Sequence, residues 1–279
     1  MRKLVLILVA MMGFSTIYAQ DIAEPEFIGE AKVVTADGKE IALTVETAMT
    51  KTRAGATMYL VGMGSIKSVL SLEGAVSPSR IENGGDFYII LRSDSNMHSP
   101  SAYIKIFRFD IRSDRREAEL SSAGTFSGVS SNNLTYVPFV AKKYGESSYL
   151  IKLTRPITGE YGIKLATENN TISTFGISGS SMPIEVCVQY MIENDIELRE
   201  LGETTGKTLI YDVPSKSYIP ERDMKAIYGS EYLNKLSSEY RNKKQGGQWD
   251  DEWSAHQEEL AKKKQERAER KAKKRNKGN

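Results

Sequence analysis

The sequence predicts a mainly β protein, an antiparallel β-sandwich followed by a helical C-terminal region, and three observations carry that prediction. From Glu26 to about Ile177, short runs rich in Val, Ile, Tyr, Phe and Thr alternate with turn residues. No block of helical period separates these runs, which argues for antiparallel pairing and against the crossover helices of a parallel sheet. Beyond Pro220 the pattern changes to apolar side chains recurring every four residues.

Taken in order, residues 31–34 and 41–46 flank Asp37-Gly38, a dipeptide that favours a tight hairpin turn whose two central residues both take positive φ. Further strands are expected at 57–62, 66–72, 87–92, 103–109, 148–153, 161–166 and 172–177, with a polar loop at 92–101. These fill a β-sandwich domain spanning residues 20–178. The stretch 179–219 reads as mixed or irregular: 184–190 suits a strand, whereas 191–201 suits a short helix. An amphipathic helix is expected at 220–245. Pro220 opens it, Glu221 and Asp223 complement its positive end, and Arg241, Lys243 and Lys244 complement the other. Met224, Tyr228, Tyr232, Leu236 and Tyr240 form its apolar face, joined by Ile227.

Gly246-Gly247 breaks that helix, and residues 248–279 read as a charged helical or partly disordered basic tail. Trp249, Trp253, His256 and Leu260 give its first half an apolar stripe that can dock, and past Leu260 alanines are the only apolar side chains.

Residues 1–19 have the architecture of a cleavable secretory signal. Arg2 and Lys3 precede a short apolar core from Leu4 to Phe14, and small or neutral residues lead to a cut between Ala19 and Gln20. That core is too short to cross a bilayer as a helix, no later segment reaches such a length, and no cysteine stands at the cut as in a lipoprotein. Export to the periplasm, the outer membrane or the cell surface is therefore expected. The lone Cys187 cannot form an intrachain disulfide, and its apolar neighbours suit a buried, inert thiol. The net charge of +2 hides an uneven distribution. Residues 261–279 carry ten Lys or Arg against Glu266 and Glu269, so the stretch 20–260 is acidic, at −8.

The piece from Leu153 to Leu165 (LTRPITGEYGIKL), followed by Thr174-Phe-Gly-Ile177, resembles the closing strands of immunoglobulin-like or transthyretin-like bacterial domains. Together with Glu24-Pro-Glu-Phe-Ile-Gly29, the run from Ala118 to Ser127 and the signal ending Ala19-Gln20, it is similar to exported proteins of Bacteroidota that have no assigned activity. The resemblance covers roughly residues 20 to 178. It implies an envelope address and an immunoglobulin-like or transthyretin-like β-sandwich, and carries over no functional residue.

Motifs for catalysis fall short on chemical grounds. Gly202 to Thr208 has one residue too few between its glycines for a phosphate-binding loop. Around Ser178, Ser180 stands where a nucleophile elbow needs its second glycine, and His98 and His256 are the only histidines available as base. One cysteine, no helically spaced histidine pair and no calcium-loop pattern leave no metal or other cofactor implied. Asp110 and Asp114 would bring Arg112 into any site they formed. Paired carboxylates of a glycan hydrolase depend on spatial separation, so a periplasmic or surface enzyme of that kind stands as the alternative. The expected function is a non-catalytic envelope protein that binds or assembles. Trp249, Trp253, Leu260, Lys262, Lys263 and Lys264 would dock an envelope protein or an anionic envelope polymer. The tail past Leu260 offers no aromatic ring to stack on bases, which argues against nucleic acid.

Overall fold

The computed structural model describes residues 22–54, 64–83, 86–125, 128–167, 170–179, 182–203 and 206–245. The segment expected to be a signal, with Ala19 and Gln20, the strand expected at 57–62, and the tail with Trp249, Trp253, His256, Leu260, Lys262, Lys263 and Lys264 lie outside the described residues. The protein is mainly β, with antiparallel sheets, few helices and a helix toward the C-terminus. It divides into two units, one drawn from residues up to 180 with Pro214–Ser217, the other from Ser181–Val213 and from Tyr218 onward.

The first unit contains two sheets. Strands β1 (Ala31–Thr35), β2 (Glu40–Ala42), β7 (Phe87–Arg92), β12 (Phe139–Tyr144) and β13 (Ser148–Leu153) form the smaller, in the order β12-β13-β7-β1-β2. The larger is a half-barrel. Its path is β3 (Thr44–Thr47), β15 (Thr171–Gly179), β14 (Gly159–Leu165), β8 (Ile104–Ile111), β9 (Arg115–Gly124), β5 (Ser65–Glu73) and β4 (Met49–Ala54). Three short strands attach to it: β6 (Arg80–Asn83) runs parallel to β15, β10 (Gly128–Ser131) pairs with β9, and β11 (Thr135–Tyr136) pairs with β8. The two ends of the path, β3 and β4, are separated in sequence by Ala48 alone, so the sheet rolls back toward itself.

The period of two along each strand assigns side chains to faces. A single buried cluster takes Val33, Ile89, Leu91 and Ile151 from the smaller sheet and Ile104, Ile106, Ile163 and Phe175 from the larger. On the inner face of the roll, Leu70, Leu72, Phe107, Phe109, Ala118 and Ile172 make a second core. Gly162 creates the room for it: a Cβ there would come within 2.9 Å of both Ile172 and Phe109. The outer face of the smaller sheet is covered by Ile22, which packs with Val34, Tyr88, Ile90 and Leu150.

Several expectations are revised. The expected 31–46 hairpin forms only over 31–43, because residues 44–47 pair with β15 in the larger sheet, and only Gly38 of the Asp-Gly pair has positive φ, at 81°. Gly38 N donates to Thr35 O at 2.9 Å and Thr35 N to Lys39 O at 3.0 Å, the three-residue loop that ends in a left-handed glycine. A short helix α1 (Pro100–Tyr103) precedes β8. In the second unit, residues 184–190 belong to helix α2 (Ile184–Glu193), because Ile184, Cys187, Val188 and Met191 bury one helical face. Three strands follow, β16 (Arg199–Leu201), β17 (Thr208–Asp212) and β18 (Ser217–Pro220). The helix expected at 220–245 is two, α3 (Glu221–Tyr228) and α4 (Ser230–Gln245), divided at Gly229 with φ 86°. Tyr228 and Tyr232 nevertheless stack across the break, at 4.9 Å between ring centroids.

Candidate functional site

The inner face of the rolled sheet has two chemically opposite ends. At one, Arg116 enters from β9 and is 1 % exposed, among the largest fully buried side chains of the described residues. Its Nη2 donates to both carboxylate oxygens of Glu46, at 2.7 and 2.8 Å, and to the carbonyl of Glu73, while Nε donates to that of Gly74. Glu160, on β14 and wholly buried, accepts from the Ser77 amide at 2.6 Å, pairs with Arg80, and lies 3.9 Å from Arg116 Nη1. Burial pushes the Glu160 carboxyl above its usual range, opposed by Arg80, the Ser77 amide and Arg116. Thr174 donates to Glu46 and completes the cluster. Gly176 is the opening through which Arg80 reaches in, since a Cβ there would collide with the guanidinium. Two arginines and two glutamates thus balance one another, as buried charges must.

On the outer side of the same end, Glu117 gathers Arg53, Arg112 and Arg115. Strands β8 and β9 pair only here, at Asp110 with Glu117 and Ile111 with Arg116. Beyond that point they part.

At the other end, the gap between β8 and β9 is bridged by residues 133–137. Asn133 N donates to Leu120 O at 3.0 Å on the β9 side, and Val137 N to Ile106 O at 2.9 Å on the β8 side. The returning chain leaves a cleft of about 440 Å³. Leu70, Leu120 and Leu134 make its apolar wall, while Thr50 and Asn170 add polar groups. Lys105 and Lys164 stand directly opposite each other across the β8–β14 ladder and both line the cleft. Lys105 Nζ also lies 5.9 Å from the centroid of the Tyr136 ring, another lining residue. A smaller depression of about 340 Å³, with Ile106 and Phe139 among its walls, shares Lys105 and Tyr136 with it.

The residues singled out from sequence lie elsewhere. Cys187 is buried in the second unit, where burial raises its thiol despite a hydrogen bond with Tyr232. His98 packs against Tyr103, at 4.5 Å between centroids. Asp110 faces Arg112 at 3.7 Å, and Asp114 pairs with Arg115 at 2.7 Å. Ser178 is in β15. Among the described residues no group of three His, Cys, Asp or Glu is placed to hold a metal ion.

Sequence reasoning missed both ends of the roll. The spacing from Lys105 to Lys164 carries no local signal. The alternation of Lys105, Phe107 and Phe109 was the available sign that β8 has a second buried face carrying a cation. Comparison with known proteins found no matching family model, no matching curated protein and no matching solved structure.

Proposed function

We propose that this chain is a non-catalytic exported envelope protein whose work is binding or assembly. The observation that carries the reading is the cleft at the lysine end, where two cations face one another over an apolar wall. Such a volume falls in the range of small-molecule sites, roughly 300–1,000 Å³, and a mostly apolar wall with few fixed charges is their usual lining. The core shared by the two sheets supports an immunoglobulin-like sandwich, of the kind found in the exported Bacteroidota proteins that the sequence resembles. No helix among the described residues is long and apolar enough to cross a membrane.

The competing reading, a glycan hydrolase, requires two carboxylates reachable by substrate. The two acids at the arginine end of the roll, the half-buried Glu46 and the buried Glu160, face Arg116, and Glu160 has no exposed surface. That arrangement favours binding over acid–base work. The basic stretch after Leu260, with Trp249 and Trp253 before it, serves in this reading as an arm that engages an anionic envelope partner.

An envelope pull-down with crosslinking tests the proposal. It compares the protein with a version ending at Gly247, at low and raised salt. Specific partners captured by either form support binding or assembly, and loss of capture on truncation or in salt assigns it to the arm. Cleavage of envelope glycan by the purified protein would overturn it.

A further inference from the structure

We infer that the lysine end of the roll binds a neutral oligosaccharide, laid across the Tyr136 ring with a sugar in the hollow on either side, and this rests on the binding reading above. Tyr136 lines both the cleft of about 440 Å³ and the depression of about 340 Å³, so the two hollows adjoin at it. The split between β8 and β9 puts it there. The returning chain pairs with β8 at Thr135 and Tyr136, and Tyr136 stands opposite Phe107. Phe107 is wholly buried, whereas Tyr136 keeps 41 % of its surface exposed. The Tyr136 hydroxyl donates to Asn132 Oδ1 at 2.5 Å, which fixes the orientation of the ring. Asn132 itself has φ 66°, a left-handed conformation that asparagine tolerates better than most residues.

The lining selects the class of ligand. A pyranose has apolar C–H faces and a rim of hydroxyl groups, so its site needs an aromatic or aliphatic wall edged by neutral hydrogen-bonding groups. Both hollows have that composition. In the larger, Leu120 and Leu134 form the wall while Thr50 and Asn170 supply a hydroxyl and an amide. In the smaller, Pro138 and Phe139 form the wall while Ser101 and Asn132 supply the same two groups. Hydroxyls and amides both donate and accept, which suits a ligand whose own hydroxyls do the same. The cations do not call for an anion. Lys164 is engaged in an interaction of its own, and the Lys105 ammonium lies over the electron-rich Tyr136 ring. Lys105 lines both hollows, where it serves as a hydrogen-bond donor to hydroxyls. Two adjoining hollows of like chemistry fit a ligand of repeating units better than a single sugar.

The test is calorimetric titration of the purified protein with four neutral trisaccharides, cellotriose, mannotriose, galactotriose and chitotriose, beside their monosaccharides and the acidic trigalacturonic acid. At least one neutral trisaccharide should bind, about tenfold or more tighter than its monosaccharide. Its affinity should be the same at low and raised salt, because no ion pair is formed for salt to screen. Tyr136→Ala should weaken binding about tenfold or more, and Tyr136→Trp, which keeps an aromatic platform, should retain it. Asn170→Ala, a change at an exposed residue between β14 and β15, should weaken it severalfold. Retained thermal stability of the variants separates a lost site from a lost fold. Failure of all four trisaccharides to bind, binding indifferent to Tyr136, or tighter and salt-dependent binding of trigalacturonic acid overturns the inference. If none binds while the pull-down still captures envelope partners, the inference falls and the binding function stands.

Discussion

Lys164 lies directly opposite Lys105 in the antiparallel ladder of β14 and β8, at the end of the roll where β8 has no pairing to β9. Opposed like charges on neighbouring strands cost stability, of the order of 0.2–1 kcal/mol. Lys105→Glu places an acid across from Lys164 and should raise the urea midpoint by a stabilisation of about 0.2–1 kcal/mol.

The arginine end should behave in the opposite way. Arg116→Met removes the group shared by Glu46 and Glu160, leaving two glutamates facing the interior without their common cation. Breaking a buried ion pair from one side costs about 3–5 kcal/mol. Equilibrium urea unfolding should show a loss of that size.

Gly176→Ala probes the same cluster through its backbone. The added methyl occupies the path of the Arg80 guanidinium and displaces it from Glu160. Overpacking of this kind costs typically 1–3 kcal/mol. A thermal melt should show the loss, and Arg80→Ala in the Gly176→Ala background should add little to it.

Glu24 fixes the N-terminal segment to the β12–β13 turn. Burial works to raise its carboxyl, but the Ser148 hydroxyl, the amides of Glu146 and Ser147 and the charge of Arg92 together hold it below the usual carboxylate value. A carboxylate lowered on folding contributes stability that is present above its unfolded value near 4.5 and lost as pH falls through the lowered folded value. Stability should therefore decline below about pH 4.5, and Glu24→Gln should flatten that decline while lowering stability at pH 7. Urea midpoints from pH 3 to 7 check both.

The parts of this architecture legible from sequence are those governed by local rules. Runs such as 87–92 and 148–153 show as strands because their β-branched and aromatic residues sit between turn residues, and the structure places β7 and β13 there. Arg115–Gly124, the longest strand among the described residues, escaped because its two faces are Arg116 and Ala118 against Glu117 and Glu119, which no hydrophobic alternation betrays. Arg116 is satisfied by residues 40 or more positions away, Glu46 and Gly74 among them. The 184–193 segment was ambiguous because a short apolar run suits either period, and only its buried face settles it as helix. The lysine cleft depends on where β8 and β9 separate, a matter of long-range pairing. No motif records it.

The most direct test of the account is a methyl NMR titration of the leucine-labelled protein with the envelope partner that the pull-down captures. The account predicts shifts concentrated at Leu70, Leu120 and Leu134, which line the cleft. Leu233 and Leu236 in α4 should remain still, and the pattern should vanish in the Lys105→Ala, Lys164→Ala double variant. Shifts spread evenly over all leucines, or saturable binding that leaves the three cleft leucines unmoved, would contradict it.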